Sequence, residues 1–588
     1  MASLIEKTLG REAMLGRIKF SPEPMRAISG SFKTEVIEEG ERAEERTIPY
    51  LSLSLYREFS EKGNRTDYET PFFDKRRSLS QLVTAECVEN EGRFIKAIEE
   101  YIWSIISEPS WTIPAHNTYI RDTATLNTPL IGRPILDLFA CETGEILSLT
   151  LSLLNDKLDE TLKSDIEHVL RERILLPYTT DHFWWMGNDG PLNNWTPWCT
   201  QNVLLSLLTL SLSEKESRKI LKTAVSSLDA YINSMPEDGG CDEGASYYHA
   251  AAVALWGALH ILELSTHMDF SPIFRDSKIK AMAEYIECVH VKDDTYLNYA
   301  DCSPKAGTLT AREYLFGKAV GSVPLMHHAA LDASKYWKES DNNYNLFYRY
   351  LAIAHYDEIK EEARKPVDVS HKSFAAFRNT GLVIYRDDDI VFAIKGGNNG
   401  ESHNHNDAGS ITLYKDGKPC LIDIGVETYT KTTFSKDRYT LFPMRSTYHN
   451  VVNFPPLEQH DGEAFRAEII EMDENETVLD LTNAYESGKG LKKYIRRAFF
   501  DREKREIRIS EDFSSEQKAV LSLMTVEMFK ADGNKLEAEH FSITFPEDVD
   551  IKSETIKIED ARLRKAWPDK LYRTLITLHH CTTWTIKL

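Results

Sequence analysis

The apolar spacing of this chain changes its period once, and that change limits what the chain can fold into. From Glu91 to about residue 365 apolar residues recur at helical intervals, as in Phe94, Ile95, Ile98, Tyr101, Ile102 and Ile105. Helical segments are expected around 135–155, 158–174, 199–213, 215–234, 246–268, 277–290 and 343–364. Ala250–Leu259 is apolar nearly all round, which suits an inner helix with neighbours on every side. Beyond Pro366 the runs shorten and alternate: Thr380–Arg386, Ile390–Ile394, Glu468–Glu471, Thr477–Leu481, Tyr494–Phe500, Glu506–Ser510 and Thr574–Leu578 read as strands between turns. Helices followed by strands give a multidomain α+β chain: a helical domain over residues 81–365, whose alternating buried and amphipathic helices suggest layers of toroidal (α/α) type, then an antiparallel β-sandwich over 366–588. Residues 1–80 read as a charged, irregular N-terminal extension.

At 588 residues the chain is too long for one compact core. Its formal net charge of −22 excludes a general nucleic-acid footprint and disfavours an anionic membrane surface. A few local Arg and Lys can still favour an acidic small substrate. No run of eighteen apolar residues is present to span a membrane, and Met1–Lys7 lacks the apolar core of a signal segment. The eight cysteines are scattered without a CxxC pair. Together these features favour a cytoplasmic protein with free thiols, or a secreted or periplasmic one from which a signal has been removed.

The densest chemistry lies in Gly396–Gly409, where Gly400-Glu-Ser-His-Asn-His-Asn-Asp407 crowds two histidines, acids and amides into one loop. His403 and His405 are two apart, so an extended backbone would put both rings on one face. Ile411–Tyr414 then alternates, turns at Lys415-Asp-Gly417 and returns as Pro419–Asp423, a β-hairpin with an Asp-Gly turn. Such a hairpin carries Asp423 back beside His405, and His449 follows in Arg445–Asn450. Two histidines and a carboxylate are a reasonable metal ligand set, which leaves His403 for chemistry. A Gly/Asn loop with histidines is often inert surface, but polar groups this dense inside an apolar β pattern must be satisfied if they are buried.

Two stretches of the helical half also carry chemistry. In Trp184–Cys199, Thr196 and Pro197 suit the start of a helix, so Asn193 and Asn194 would sit at its N-terminus, where amide donors and the helix dipole can hold an anion. In Pro236–His249 an acidic glycine-rich loop enters a helix through Ser246, with Tyr247, Tyr248 and His249 in its first turn. A tyrosine there can give or take a proton.

These residues together resemble the heparinase II/III-like polysaccharide lyases. The resemblance rests on Gly400–Ser410, Leu413–Gly425, Tyr429, Ser446-Thr-Tyr-His-Asn450 and Gln459. In the helical half it rests on Trp111–Asn117, Asn193-Asn194 and Glu243–His249. It spans roughly residues 90–470. It implies a toroid, a β-sandwich and β-elimination in uronic-acid-containing poly- or oligosaccharides such as glycosaminoglycans or alginate. Carried over residue by residue, Asn194 would neutralise the uronate carboxylate. Tyr248 would protonate the leaving oxygen, and His403 or Tyr248 would be the base. Choosing Tyr248 over Tyr247 rests on the following His249. The resemblance also implies a structural Zn2+ on His405, Asp423 and His449, and substrate contacts from Asn193, Glu243, Trp195, His116 and Arg445. Trp195 stands where several relatives carry a histidine, which removes one candidate base. A glycoside hydrolase and a non-catalytic glycan-binding protein are the competing readings, and the oligomeric state, a homodimer included, is open.

Overall fold

The structure is a computed structural model; it describes residues 3–588 except 11–12, 122, 188–189, 336–343, 368–370, 402, 431 and 548. The chain divides into two compact units. One comprises Met1–Met235, His249–Ala283 and Thr308–Val369; the other comprises Pro236–Tyr248, Glu284–Gly307 and Ser370–Leu588. Two excursions from the helical half therefore belong with the strand-rich C-terminal part.

The first unit is helical. Leu138–Leu154 packs on Trp195–Ser206, which packs in turn on Glu214–Ser234 and on Ala252–Thr266. Ala252–Thr266 is apolar on all faces and buried nearly throughout, as its sequence requires. Asp137 caps Leu138–Leu154 by accepting from the Ala140 amide at 2.7 Å. The N-terminal region is not irregular: it forms helices Gly30–Glu44, Leu53–Lys62 and Thr66–Glu89. Periodicity misses the last of these because it is buried on every side from Ser78 to Val88, with Gln81, Thr84 and Glu86 enclosed among Leu79, Leu82, Val83 and Val88. Lys75 and Arg76 share Glu108 at 2.8 and 2.7 Å, which offsets the desolvation of their charges.

Two helix starts differ from expectation. Thr196 does not cap; its hydroxyl donates to the Trp185 carbonyl at 2.7 Å, and the helix begins at Trp195 with Asn194 before it. The segment expected as one helix over 246–268 is interrupted. Ala245–Tyr248 is a single turn in the second unit, and a helix resumes at Ala252 after Ala251 leaves helical geometry at ψ −87°. Ser246 lies within that turn rather than capping a long helix.

The second unit is built on three antiparallel sheets of five, eight and four strands. The five-stranded sheet runs Phe374–Phe377, Leu382–Asp387, Ile390–Lys395, Ile411–Lys415, Lys418–Leu421 in spatial as well as chain order. The Asp-Gly hairpin forms as expected, with Asp416 and Gly417 both at positive φ (50° and 75°). Inner faces meet in one core, where Val383, Phe392 and Leu413 pack with Leu479, Phe500, Leu521 and Trp584. Among the described residues no helix is long and apolar enough to cross a membrane.

Inside the helical unit Glu142 is fully enclosed, accepting from Trp198 Nε1 at 2.9 Å and Asn345 Nδ2 at 3.3 Å. Burial outweighs these bonds and pushes its carboxyl up to about 7. The folded state thus binds this proton more tightly than the unfolded chain does. The resulting stability is fully present below the unfolded value near 4.5 and is lost as pH rises through 7. Glu142→Gln, permanently neutral, should flatten that loss and gain on the order of 2–3 kcal/mol above pH 7. Urea midpoints of both proteins at pH 5 and pH 8 check this; equal pH dependence contradicts it.

Candidate active site

The loop between Lys395 and Ser410 is held from below by charge and amide contacts. Lys395, buried at the end of its strand, donates to the Thr380 and Gly396 carbonyls at 2.9 and 3.2 Å and to Glu401 at 3.0 Å. Gly381 and Gly397 lie so close that a Cβ on Gly381 would fall 2.0 Å from the Gly397 nitrogen. Gln459 accepts from the Ala408 amide at 3.0 Å and donates to the Ala408 carbonyl at 2.7 Å. Arg496, wholly buried and paired with Glu511, reaches the Gly409 and Asn450 carbonyls at 2.6 and 2.7 Å. These contacts anchor both ends of the loop and make a platform.

On this platform His403 is not extended: its φ is +55°. The two histidines are gathered by a carboxylate that sequence reasoning missed, Asp301. His403 Nδ1 lies 2.9 Å from Asp301 Oδ2, and His405 Nε2 lies 3.2 Å from Oδ1. Arg438 donates to Oδ1 at 2.7 Å and the Tyr429 hydroxyl to Oδ2 at 3.1 Å. Burial would raise the Asp301 carboxyl, but the two histidine hydrogen bonds and the Arg438 charge outweigh it and hold it well below the usual carboxylate range. His403 is shifted the other way: burial opposes its charge, and Asp301 with Glu243 raises it above the ordinary histidine value. Asp301 has only a weak signature, a polar cluster in the short segment Asn298–Asp301. Tyr429 is among the residues on which the resemblance rests.

The tyrosine brought to His403 is Tyr247. Its ring stacks on the imidazole at 5.0 Å between centroids, and its hydroxyl is 2.7 Å from that of Tyr429. Tyr248 points into the core, fully buried, 6.4 Å from the Tyr285 ring. Neighbouring side chains of a helical turn point about 100° apart, so the two tyrosines of Ala245–Tyr248 face different surroundings. Burial, reinforced by Tyr429, keeps the Tyr247 phenol protonated well above its ordinary value. Glu243 is buried in the same unit as His403. Arg445 is held by Glu458 at 3.1 Å, on a separate pocket of about 480 Å3 lined also by Asn406, Tyr439 and Gln459.

In the helical unit His116, Trp195 and the Asn pair come together. His116 is fixed by Asp137 at 2.9 Å and meets the Trp195 ring at 4.7 Å. Asn193 Oδ1 accepts from the Trp195 amide at 3.1 Å, and Asn194 is buried at the helix start.

His405, Asp423 and His449 bring one ligand atom each within 4.8 Å of one another, all buried. His449 Nε2 faces the Pro443 carbonyl at 2.9 Å and so carries the proton, which leaves the Nδ1 lone pair 2.9 Å from Asp423 Oδ2. His405 Nδ1 has no hydrogen-bond partner among the described residues. Lone pairs facing one another out of water demand a cation or a proton, so the donor set fits a divalent ion such as zinc. Chelator-stripped protein should take up one equivalent of zinc with a rise in melting temperature. His449→Ala and Asp423→Ala should abolish uptake, and His403→Ala should not. Uptake that survives His449→Ala argues against this site.

Residues 370–527 match the family model described as heparinase II/III-like, C-terminal. No curated protein sequence matches the chain. Among solved structures the chain is similar to heparinase III, at 12% identity and a TM-score of 0.62, covering 99% of this chain and 88% of that one. It is similar to a mutant of the heparan sulfate lyase from Pedobacter heparinus, at 13% identity and a TM-score of 0.59, covering 96% and 84%. A mutant of the chondroitin AC lyase of Streptomyces coelicolor A3 matches at 9% identity and a TM-score of 0.51, covering 96% and 82%. At such identities the likeness is one of fold: a helical toroid followed by a β-sandwich.

Proposed function

We propose that this chain, which carries a heparinase II/III-like C-terminal domain, is a polysaccharide lyase that cleaves uronic-acid-containing glycans by β-elimination. The observation that carries the reading is the pairing of two proton carriers, Tyr247 and His403, stacked at 5.0 Å and anchored on one network. Elimination needs one group to take the C5 proton and another to protonate the departing C4 oxygen. Tyr247, which holds its proton tightly, suits the acid. His403 in its neutral form offers Nε2 as the base, since Nδ1 is committed to Asp301.

The C5 proton becomes acidic only when the uronate carboxylate is neutralised. Asn194 is assigned to that carboxylate by the resemblance, with His116 and Trp195 as sugar contacts. A zinc on His405, Asp423 and His449 would supply structural bracing beneath the loop. The names of the structurally similar proteins support a glycosaminoglycan as the substrate class to test first.

The deciding measurement is ultraviolet absorbance during incubation with heparan, chondroitin and alginate polymers and their oligosaccharides. The expected product has a conjugated 4,5-unsaturated uronate end, which absorbs. Tyr247→Phe should lower kcat by about 10²–10⁴-fold, and Tyr248→Phe should leave it within tenfold. New reducing ends without absorbance would mark a hydrolase and sink the proposal.

A further inference from the structure

We propose that Asp301 is the positioning residue of this site: one buried carboxylate sets the tautomers of both histidines in His403-Asn-His405, in opposite senses. It thereby locks the proton-transfer ring and the metal-holding ring into a single arrangement. The catalytic part of this inference rests on the lyase reading; the tautomer and metal parts do not.

The geometry leaves the carboxylate no spare capacity. Each oxygen receives two donors: His403 Nδ1 and Tyr429 OH on Oδ2, His405 Nε2 and Arg438 Nη2 on Oδ1. Asp301 is fully buried, so water cannot substitute for any of them. An ionised carboxylate only accepts, so both ring nitrogens that face it carry hydrogen. For His403 that is Nδ1–H, which frees Nε2. For His405 it is Nε2–H, which frees Nδ1, the atom left without a hydrogen-bond partner in the group formed with Asp423 and His449. Two histidines two residues apart are thus held in opposite tautomers by one side chain.

Asp301 is itself held in place. Ala300 before it adopts φ +55°, and the Asp301 carbonyl accepts from Arg562 Nη2 at 3.0 Å. Arg562 also lies over the Tyr429 ring at 4.4 Å. Arg438 ties the other side, donating to the His403 and Asn404 carbonyls at 3.0 Å each, across the backbone that holds His403 at positive φ. A carboxylate present merely to neutralise Arg438 would not need both histidines on separate oxygens.

The test uses full-length Asp301→Asn, which is nearly isosteric, and Asp301→Ala. An amide offers one acceptor and one donor, so at most one histidine keeps its tautomer. Zinc affinity by chelator competition should fall 10–100-fold. On the oligosaccharide substrate kcat should fall about 10²–10⁴-fold with KM within about threefold, and saturating zinc should not restore it. Unchanged zinc affinity, or full recovery of kcat on zinc saturation, overturns the proposal. If the wild-type chain proves not to be a lyase, ring 15N signals of histidine-labelled protein still decide. Protons on His403 Nδ1 and His405 Nε2 are expected, with at least one inverted in Asp301→Asn. The same readout on wild type alone suffices if neither variant folds: absence of those two protons overturns the proposal.

Discussion

Everything at this site depends on satisfying polar groups that the fold has taken out of water. The loop from Gly396 to Gly409 lies at one end of a β-sandwich and carries His405, Asn406 and Asp407 into burial. An unpaired polar group there costs about 1–3 kcal/mol, so a loop of this composition is stable only if partners are supplied from elsewhere. The sandwich supplies them through Lys395, Gln459 and the Arg496–Glu511 pair. The segment before residue 307 supplies Asp301. The same contacts that make burial tolerable also fix ring orientations, which is what proton transfer needs.

Buried ion pairs are poor sources of net stability, because desolvation offsets most of the Coulomb gain. This chain nevertheless buries Arg76–Glu108, Arg349–Glu39 and Arg496–Glu511. Arg496 shows what such a pair contributes in place of stability. Its guanidinium, anchored by Glu511, places two donors under the loop at fixed direction. A hydrophobic pair in that position would pack as well but would leave the Gly409 and Asn450 carbonyls without those donors. In the helical unit Glu142 and Glu145 have no basic side chain among their described hydrogen-bond partners, and burial raises both carboxyls.

Tyr429, Tyr247 and His403 form a half-covered aromatic group in the second unit, and Trp184, Trp195 and His116 form another in the first. Flat rings with polar edges suit the apolar faces and hydroxyl rims of sugars. Other aromatics among the described residues, such as Trp185, Trp584 and Tyr385, are core residues.

What the sequence determined by itself was local. The change of apolar period set the helical-then-β architecture. The Asp416-Gly417 turn set the hairpin register that returns Asp423 toward His405, and the family pattern marked His403, Tyr429 and Gln459. Periodicity and turn chemistry act over a few residues, so they are legible in one chain. What the tertiary structure decided was which groups meet. Asp301 lies 102 residues from His403, in a turn after the short strand Thr295–Tyr296, with no periodic signature. That Tyr247 rather than Tyr248 meets His403 is likewise a contact that no local pattern announces. The helix Thr66–Glu89 was hidden because burial on every side from Ser78 to Val88 leaves it no amphipathic period, while its Lys75 and Arg76 are compensated by Glu108, a partner distant in sequence. Long-range pairing of polar groups leaves no period behind, and only the folded chain reveals it.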